Sequence, residues 1–479
     1  MGSNGGILQP RLKVVMLPWV AFGHISPFLE LAVALSRHNV AVHLCSSPAN
    51  LRSITSSQSL INLVELHLPG DLLPPHLHTT KNLPPHLMPA LKTVVDAGSA
   101  AFGRLLDEIS PDLIIYDFVV PWAATVAGER NIPAVLFFAN AAATTTLFCH
   151  HLKRPAVEAP FPALRFEGQN EKDVSVKMLW RRGNGKSDGE RYLEAIEGSS
   201  GFVAFRSFRE IEGKYFDYLP SLLGKEALPV GALISSVGGD RDSWQDQDKL
   251  VEWLNKKPAA LVVFVSLGSE YFITNEEMME IARGLELSKF SFIWVVRFPI
   301  NARVREDGQE VMDSQPMSAT SLPAGLMERL HFDRKGIVVE GWAPQKRILS
   351  HPSIGGFLTH CGWSSINEGM RLGVPMIALP LQIDQPVNAS IVVNLGVALR
   401  VMTTSIFDEG LKECVNKFKG EDMARCIEEV MVGKGGESVR KRAKEMAELM
   451  ANKGDEEIEM FVAKIEGLVR EIGLATGSK

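Results

Sequence analysis

The sequence predicts an α/β protein of two Rossmann-like domains facing across a cleft, on three observations. Short apolar runs alternate with longer amphipathic ones in the first half and again after about residue 250, a β–α–β rhythm. Several runs, 113–116 and 135–138 among them, are apolar on successive residues, as in parallel strands covered by helices on both faces. Between the halves, residues 238–248 are polar and rich in Gly and Asp, with a linker's composition.

In chain order, 13–17 reads as the first strand, 27–37 as a helix and 40–45 as the second strand. The unit repeats in 112–116, 122–130 and 134–138. Residues 14–22 have the apolarity of a signal-peptide core, but Gly23, His24 and Pro27 stand where a cleavage site belongs, so a buried strand is the better reading. The Pro-rich stretches 73–78 and 83–89 read as loops, with His76, His78 and His86 at their surface. The rhythm loosens between about residues 155 and 228 and restarts with 261–266, 276–287, 292–296, 336–340, 356–359, 365–372 and 376–379. The polar stretch 301–321 reads as a loop. From Ser438 onward the chain is helical, and Ile458, Phe461, Ile465, Leu468, Val469 and Ile472 form a stripe expected to pack back on the N-terminal domain.

Composition excludes several classes of function. Lys and Arg number 50 against 56 Asp and Glu, with no basic block, so nucleic acid is not an expected partner. The five cysteines, Cys45, Cys149, Cys361, Cys414 and Cys426, show no C-x-x-C spacing, which fits reduced thiols and a cytoplasmic location better than zinc or a disulfide framework. No apolar run reaches the roughly 18 residues of a membrane span, so no membrane insertion is expected. Gly185-Lys186-Ser187 ends like a phosphate-binding loop, but the first glycine of such a loop would fall at Trp180. Gly433-Lys434-Gly435-Gly436 has Ser438 at the last glycine position of a dinucleotide fingerprint. The D-x-D pairs at Asp240 and Asp246 lie in the linker, away from any rigid element that would fix metal geometry.

The strongest pattern runs from Trp342-Ala343-Pro344-Gln345 through His360-Cys361-Gly362-Trp363-Ser364-Ser365 and Glu368 to Asp384-Gln385. Singly, each residue has an ordinary role: Trp342 in a core, Asp384 as a helix cap before Pro386, Cys361 as a buried apolar group. A packing role, however, predicts no fixed frame of typed positions. The segment resembles the plant secondary-product glycosyltransferase box, the donor-binding signature of plant family 1 UDP-sugar glycosyltransferases.

The residue types suit that chemistry. Trp342 offers a face for uracil, with the main chain of Ala343 beside it. Gln345 can exchange hydrogen bonds with a ribose. His360, Gly362, Ser364 and Ser365 surround a helix start that favours a diphosphate, Trp363 and Glu368 stand in the same frame, and Asp384 and Gln385 can hold hexose hydroxyls. The resemblance implies donor binding by all of these residues, and glucose as the sugar from Gln385. It also marks departures: Ser364 stands where the family usually has Asn. Ala139 stands where many members have a sugar-binding Thr, with Asn140 as its neighbour.

His24 and Asp117 lie at the carboxyl ends of two strands. On the residues alone, a turn-capping His24 and a helix-capping Asp117 are the stronger reading. The resemblance makes them the catalytic dyad, in which imidazole takes an acceptor proton and carboxylate fixes its tautomer. Gly268-Ser269 likewise matches the loop that meets the donor. Residues 18–28 and Gly268-Ser269-Glu270-Tyr271 look most like the branch-forming subgroup, which adds a sugar to a sugar already on a glycoside.

The resemblance therefore implies a GT-B architecture. Its parts would be an acceptor domain 1–240, a UDP-sugar domain 241–455 and a C-terminal helix 456–479. It further implies an inverting, metal-independent transfer of glucose from UDP-glucose, as co-substrate, to a terpenoid or flavonoid glycoside, or alternatively to an aglycone hydroxyl. No cofactor and a monomer are expected, with the acceptor pocket drawn from loops 68–91 and 147–192.

Overall fold

The computed structural model describes residues 10–52, 54, 61–165, 176–180, 182–233, 247–297, 300–304, 310–316, 336–408, 413–453 and 455–477. Seven strands of the first half form one parallel sheet: Leu12–Leu17 (β1), Val40–Ser46 (β2), Ile61–Glu65 (β3), Leu113–Tyr116 (β4), Ala134–Phe138 (β5), Phe202–Phe205 (β6) and Glu226–Pro229 (β7). Their order is β3-β2-β1-β4-β5-β6-β7. A second parallel sheet comprises Val262–Ser266 (β8), Ser291–Val296 (β9), Gly336–Glu340 (β10), Ile354–Thr359 (β11), Met376–Ala378 (β12) and Ala398–Arg400 (β13), in the order β10-β9-β8-β11-β12-β13. Every residue of β4, β5, β8 and β11 is buried, which is why these strands are apolar without alternation. Each sheet reverses its winding direction, the first between β1 and β4 and the second between β8 and β11, and such switch points open a crevice beyond the strands' carboxyl ends.

The helix Phe22–Arg37 starts five residues before the sequence-based boundary at Pro27. Ala21 is extended, and its carbonyl accepts from the N–H groups of His24 and Ile25 at 3.0 and 2.8 Å, so the helix is already turning when it reaches Pro27. A proline this close to the start forfeits one backbone bond without ending the helix. The early start places His24 in the first helical turn rather than in a preceding loop.

Two further readings change. Residues 300–304 and 310–316 pair as antiparallel strands where composition suggested a loop, with no apolar run to announce them. His78 is buried at 1% exposure, its Nε2 2.7 Å from the carbonyl of Leu73, while His76 and His86 are exposed. Gly185-Lys186-Ser187 ends a tight hairpin, and Ser187 caps the helix Asp188–Gly198 in a capping box with Glu190. The D-x-D pairs lie outside the residues whose side chains are described.

In the C-terminal helix Glu456–Gly477, Ile458, Phe461, Val462 and Ile465 join a core with Val14, Met16 and Phe28 of the first half, and Phe461 meets Phe202 edge-on at 6.1 Å. Among the described residues no helix is long and apolar enough to cross a membrane.

Candidate active site in the interdomain cleft

The carboxyl ends of the two sheets enclose a cleft of about 470 Å³ lined from both halves. At the switch point of the first sheet, β1 leads into the turn that carries His24 and β4 ends at Asp117. His24 Nδ1 and Asp117 Oδ2 are 2.6 Å apart; the carboxylate is 1% exposed and the imidazole 24%. The other carboxylate oxygen accepts from the N–H of Val119 at 3.0 Å. Asp117 thus holds its own turn and His24 at the same time, whereas the helix Trp122–Gly128 starts at Pro121 with no side-chain cap, so Asp117 does not cap that helix. Desolvation alone would lower the His24 pKa. The charge of Asp117, its hydrogen bond and the fields of Glu270 and Asp384 outweigh that and raise it above the ordinary 6.5. With Nδ1 engaged, Nε2 is the ring nitrogen left to a substrate in the cleft.

At the second sheet's switch point, His360 follows β11 and sits between Gly268 and Gly362. A Cβ on either glycine would run into its Nε2. Burial lowers His360 to about 4, against a smaller opposing contact with the Ser266 backbone, and Nδ1 is buried without a hydrogen-bond partner among the described residues. Gly268 has φ +82°, a conformation open to glycine, and Ser269 beside it lines the cleft. Gly362 is the N-cap of the helix Trp363–Arg371, whose first N–H groups have no side-chain cap. Ser364 and Ser365 occupy that first turn and line the cleft.

The remaining box residues divide by what already holds them. Gln345 donates through Nε2 to Ser365 Oγ at 3.1 Å and Glu368 Oε2 at 2.8 Å, which leaves its amide oxygen as the free acceptor. The Glu368 pKa is raised, by desolvation first, against the lowering effects of Lys346 and Gln345. Ala343 is buried. Trp363 is buried as well, and its indole N–H donates at 2.8 Å to the carbonyl of Arg206 in the other half. Trp342, 36% exposed, has Phe22 edge-on at 4.4 Å and the Arg297 guanidinium 5.8 Å from its ring centre, so a base stacked on it shares the indole with them. Asp384 Oδ2 accepts from Asn388 at 2.8 Å, and burial raises the Asp384 pKa. Gln385 Oε1 accepts from the N–H groups of Leu381 and Gln382, both at 2.9 Å, leaving its NH₂ to donate.

On the first half's wall, Phe118 lies 5.9 Å from His24, ring to ring, and 4.8 Å from Tyr192. Asn140 donates to the Tyr192 hydroxyl at 3.2 Å while its Oδ1 is buried with no partner among the described residues. Beyond them Lys92 and Asp188, 6% and 7% exposed, pair at 2.5 Å and also line the cleft. Lys81, Met88 and Phe148 complete this wall.

Sequence reasoning missed Glu30, Arg206, Lys346, Arg297 and Glu270, all of which bridge the halves or face the cleft. Arg297 donates to Asn82 at 3.2 Å and Thr80 to Glu270 at 2.9 Å. One signal was present: Glu30 interrupts the apolar run of the helix Phe22–Arg37, and a buried carboxylate needs a partner. Among the described residues no group of three or more His, Cys, Asp or Glu is arranged to hold a metal ion.

Two family models match the chain: a glycosyltransferase N-terminal domain over residues 11–233, and UDP-glucoronosyl and UDP-glucosyl transferase over 244–431. The chain is 38% identical to a beta-D-glucosyl crocetin beta-1,6-glucosyltransferase of Gardenia jasminoides, covering 95% of this chain and 99% of the relative. It is also 38% identical to a flavanone 7-O-glucoside 2''-O-beta-L-rhamnosyltransferase of Citrus maxima, over 97% and 98%. The crystal structure of Glycyrrhiza uralensis UGT73P12 complexed with glycyrrhetinic acid 3-O-monoglucuronide superposes with a TM-score of 0.76 at 23% identity, over 98% of each chain, a likeness of fold. Matched from end to end in both halves, the chain belongs to the plant UDP-glycosyltransferase family and is a UDP-sugar-dependent transferase of GT-B architecture.

Proposed function

We propose that this enzyme moves glucose from UDP-glucose to a sugar hydroxyl of a terpenoid or flavonoid glycoside, inverting the anomeric centre to give a β-linked branch. The observation that carries the mechanism is the 2.6 Å contact between His24 and Asp117 at the cleft. Nε2 of His24 takes the proton of the acceptor hydroxyl, the oxygen attacks the anomeric carbon opposite UDP, and the bond to the diphosphate breaks. Asp117 fixes the tautomer and stabilises the imidazolium that results. The acceptor lies mainly on residues 1–240 and the donor on 241–455. Uracil shares Trp342, ribose meets Gln345 and Glu368, and the sugar meets Asp384 and the NH₂ of Gln385. The diphosphate lies at the start of the helix Trp363–Arg371 beside Ser269 and His360, where helix N–H groups meet leaving-group charge without a metal ion.

A glycoside acceptor is supported by the two relatives, one named for transfer to a glucosyl crocetin and the other to a flavanone 7-O-glucoside. Polar groups among the aromatic and apolar side chains of that wall, Asn140, Lys81 and the Lys92–Asp188 pair, also suit a sugar better than a bare aglycone. The relatives differ in linkage and in sugar at equal identity, so glucose rests on Gln385. The test is mass spectrometry of products formed from UDP-glucose with a panel of aglycones and their monoglucosides. The expected result is one added hexose on monoglucosides, and turnover lowered at least about a hundredfold in His24→Ala. Products from aglycones alone would overturn the acceptor assignment.

A further inference from the structure

The hydroxyl of Ser364 lines the cleft in the first turn of the helix Trp363–Arg371, and it is held from the other half of the molecule. Arg206, just past β6 and 1% exposed, donates to it through Nη1 at 2.7 Å. The rest of that guanidinium is also committed, Nε to the Ala232 carbonyl at 3.0 Å and Nη2 to Glu30 Oε2 at 2.5 Å. Glu30 Oε1 in turn accepts from Lys346 Nζ at 2.8 Å, on the second half. The backbone carbonyl of Arg206 takes the indole N–H of Trp363, so adjacent residues of the helix start are fixed to one arginine.

A serine hydroxyl has one proton and two lone pairs. With a guanidinium N–H on a lone pair, and with no acceptor for the Ser364 proton among the described residues, that proton is left for a group in the cleft. Donation from a charged, desolvated guanidinium also polarises the O–H and makes it a stronger donor. Arg206 itself does not line the cleft, so its effect on a ligand passes through the groups it holds there, Ser364 by a direct hydrogen bond and Glu30, Lys346 and Trp363 beside it.

We propose that Arg206 is a positioning residue of the donor site. Through Ser364 it aims and strengthens one hydrogen bond to the diphosphate of the UDP-sugar, and because it belongs to the first half it makes diphosphate binding depend on the docking of the two halves. The inference rests on the donor placement given above.

The test is UDP binding by calorimetry, with steady-state KM values for UDP-glucose and acceptor, on the full-length enzyme. Arg206→Gln with Glu30→Gln removes both buried charges together and leaves no carboxylate bare. This pair and Ser364→Ala are each expected to weaken UDP about tenfold, with the acceptor KM moving less than about twofold. Combined, they should be no worse than Ser364→Ala alone by more than about twofold, because both remove the same hydrogen bond. Ser364→Asn in the Arg206→Gln, Glu30→Gln background should recover most of the affinity, since an amide N–H donates without needing polarisation. If thermal melting shows the pair variant unfolded, Arg206→Lys carries the test: it keeps the charge but cannot serve Glu30 and Ser364 together, and UDP should again weaken. Unchanged UDP affinity, or losses that simply add, would overturn the inference while leaving the donor site intact. A wild-type enzyme that binds no UDP would overturn the donor placement and this inference with it.

Discussion

Where β1 and β4 part in the first sheet, a histidine leans on a buried carboxylate; where β8 and β11 part in the second, a histidine is enclosed by two glycines. The strand order around the two crevices is the same, but the electrostatics are opposite. Asp117, helped by Glu270 and Asp384, lifts His24 above 6.5, whereas His360 has desolvation and no carboxylate and falls to about 4. At neutral pH the second ring is a neutral dipole, and the first holds a proton more tightly than an ordinary imidazole does. A shared topology therefore supplies two equivalent openings, and the residues just past the strands give each its own electrostatics, on which the proposed division between proton chemistry and anion binding rests.

The comparison breaks most sharply at Asp117. Asp117→Asn keeps the shape but removes the charge that holds the His24 tautomer. Turnover should fall by about 10²–10⁴-fold, with UDP affinity by calorimetry within about twofold of wild type. Turnover within tenfold of wild type would mean that the two crevices do not differ in kind. On the other side, Gly268→Ala puts a methyl against His360 at a φ that costs an L-residue about 1–2 kcal/mol. UDP affinity should drop at least about tenfold and the melting temperature should fall; an unchanged UDP dissociation constant would show that the Gly268 turn does not shape the donor site.

How much of this was readable follows from the range of each signal. Strands β4, β5, β8 and β11 are legible because burial on both faces writes continuous apolar runs. The residues from Trp342 to Gln385 are legible because fixed spacing survives where single residues are ambiguous. The start of the first helix was not, since Pro27 carries a stronger local stop signal than the extended Ala21 that begins it. Nor was the pairing of 300–304 with 310–316, which no apolar run announces. The pairing of Glu30 with Arg206 spans 176 positions and joins a helix to a strand end, and no local window contains both. Readings that depend on one residue's neighbours along the chain were available; those that depend on the docking of two halves had to wait for the fold.

Glu270 offers the finest adjustment of the contrast between the histidines. It lies on the second half, accepts from Thr80 Oγ1 at 2.9 Å, and raises the His24 pKa by charge alone, after Asp117 in strength. A general base acts in its unprotonated form, so kcat/KM should rise with pH through the folded-state pKa of His24, above 6.5. Glu270→Gln removes one negative charge that favours the imidazolium while leaving Thr80 an acceptor. The imidazolium then loses its proton more readily, and the rising limb of the pH profile should move to lower pH. A limb that stays in place or moves to higher pH would mean that the titrating group is not a histidine facing Glu270 across the cleft, and the first crevice would lose its claim to the proton chemistry.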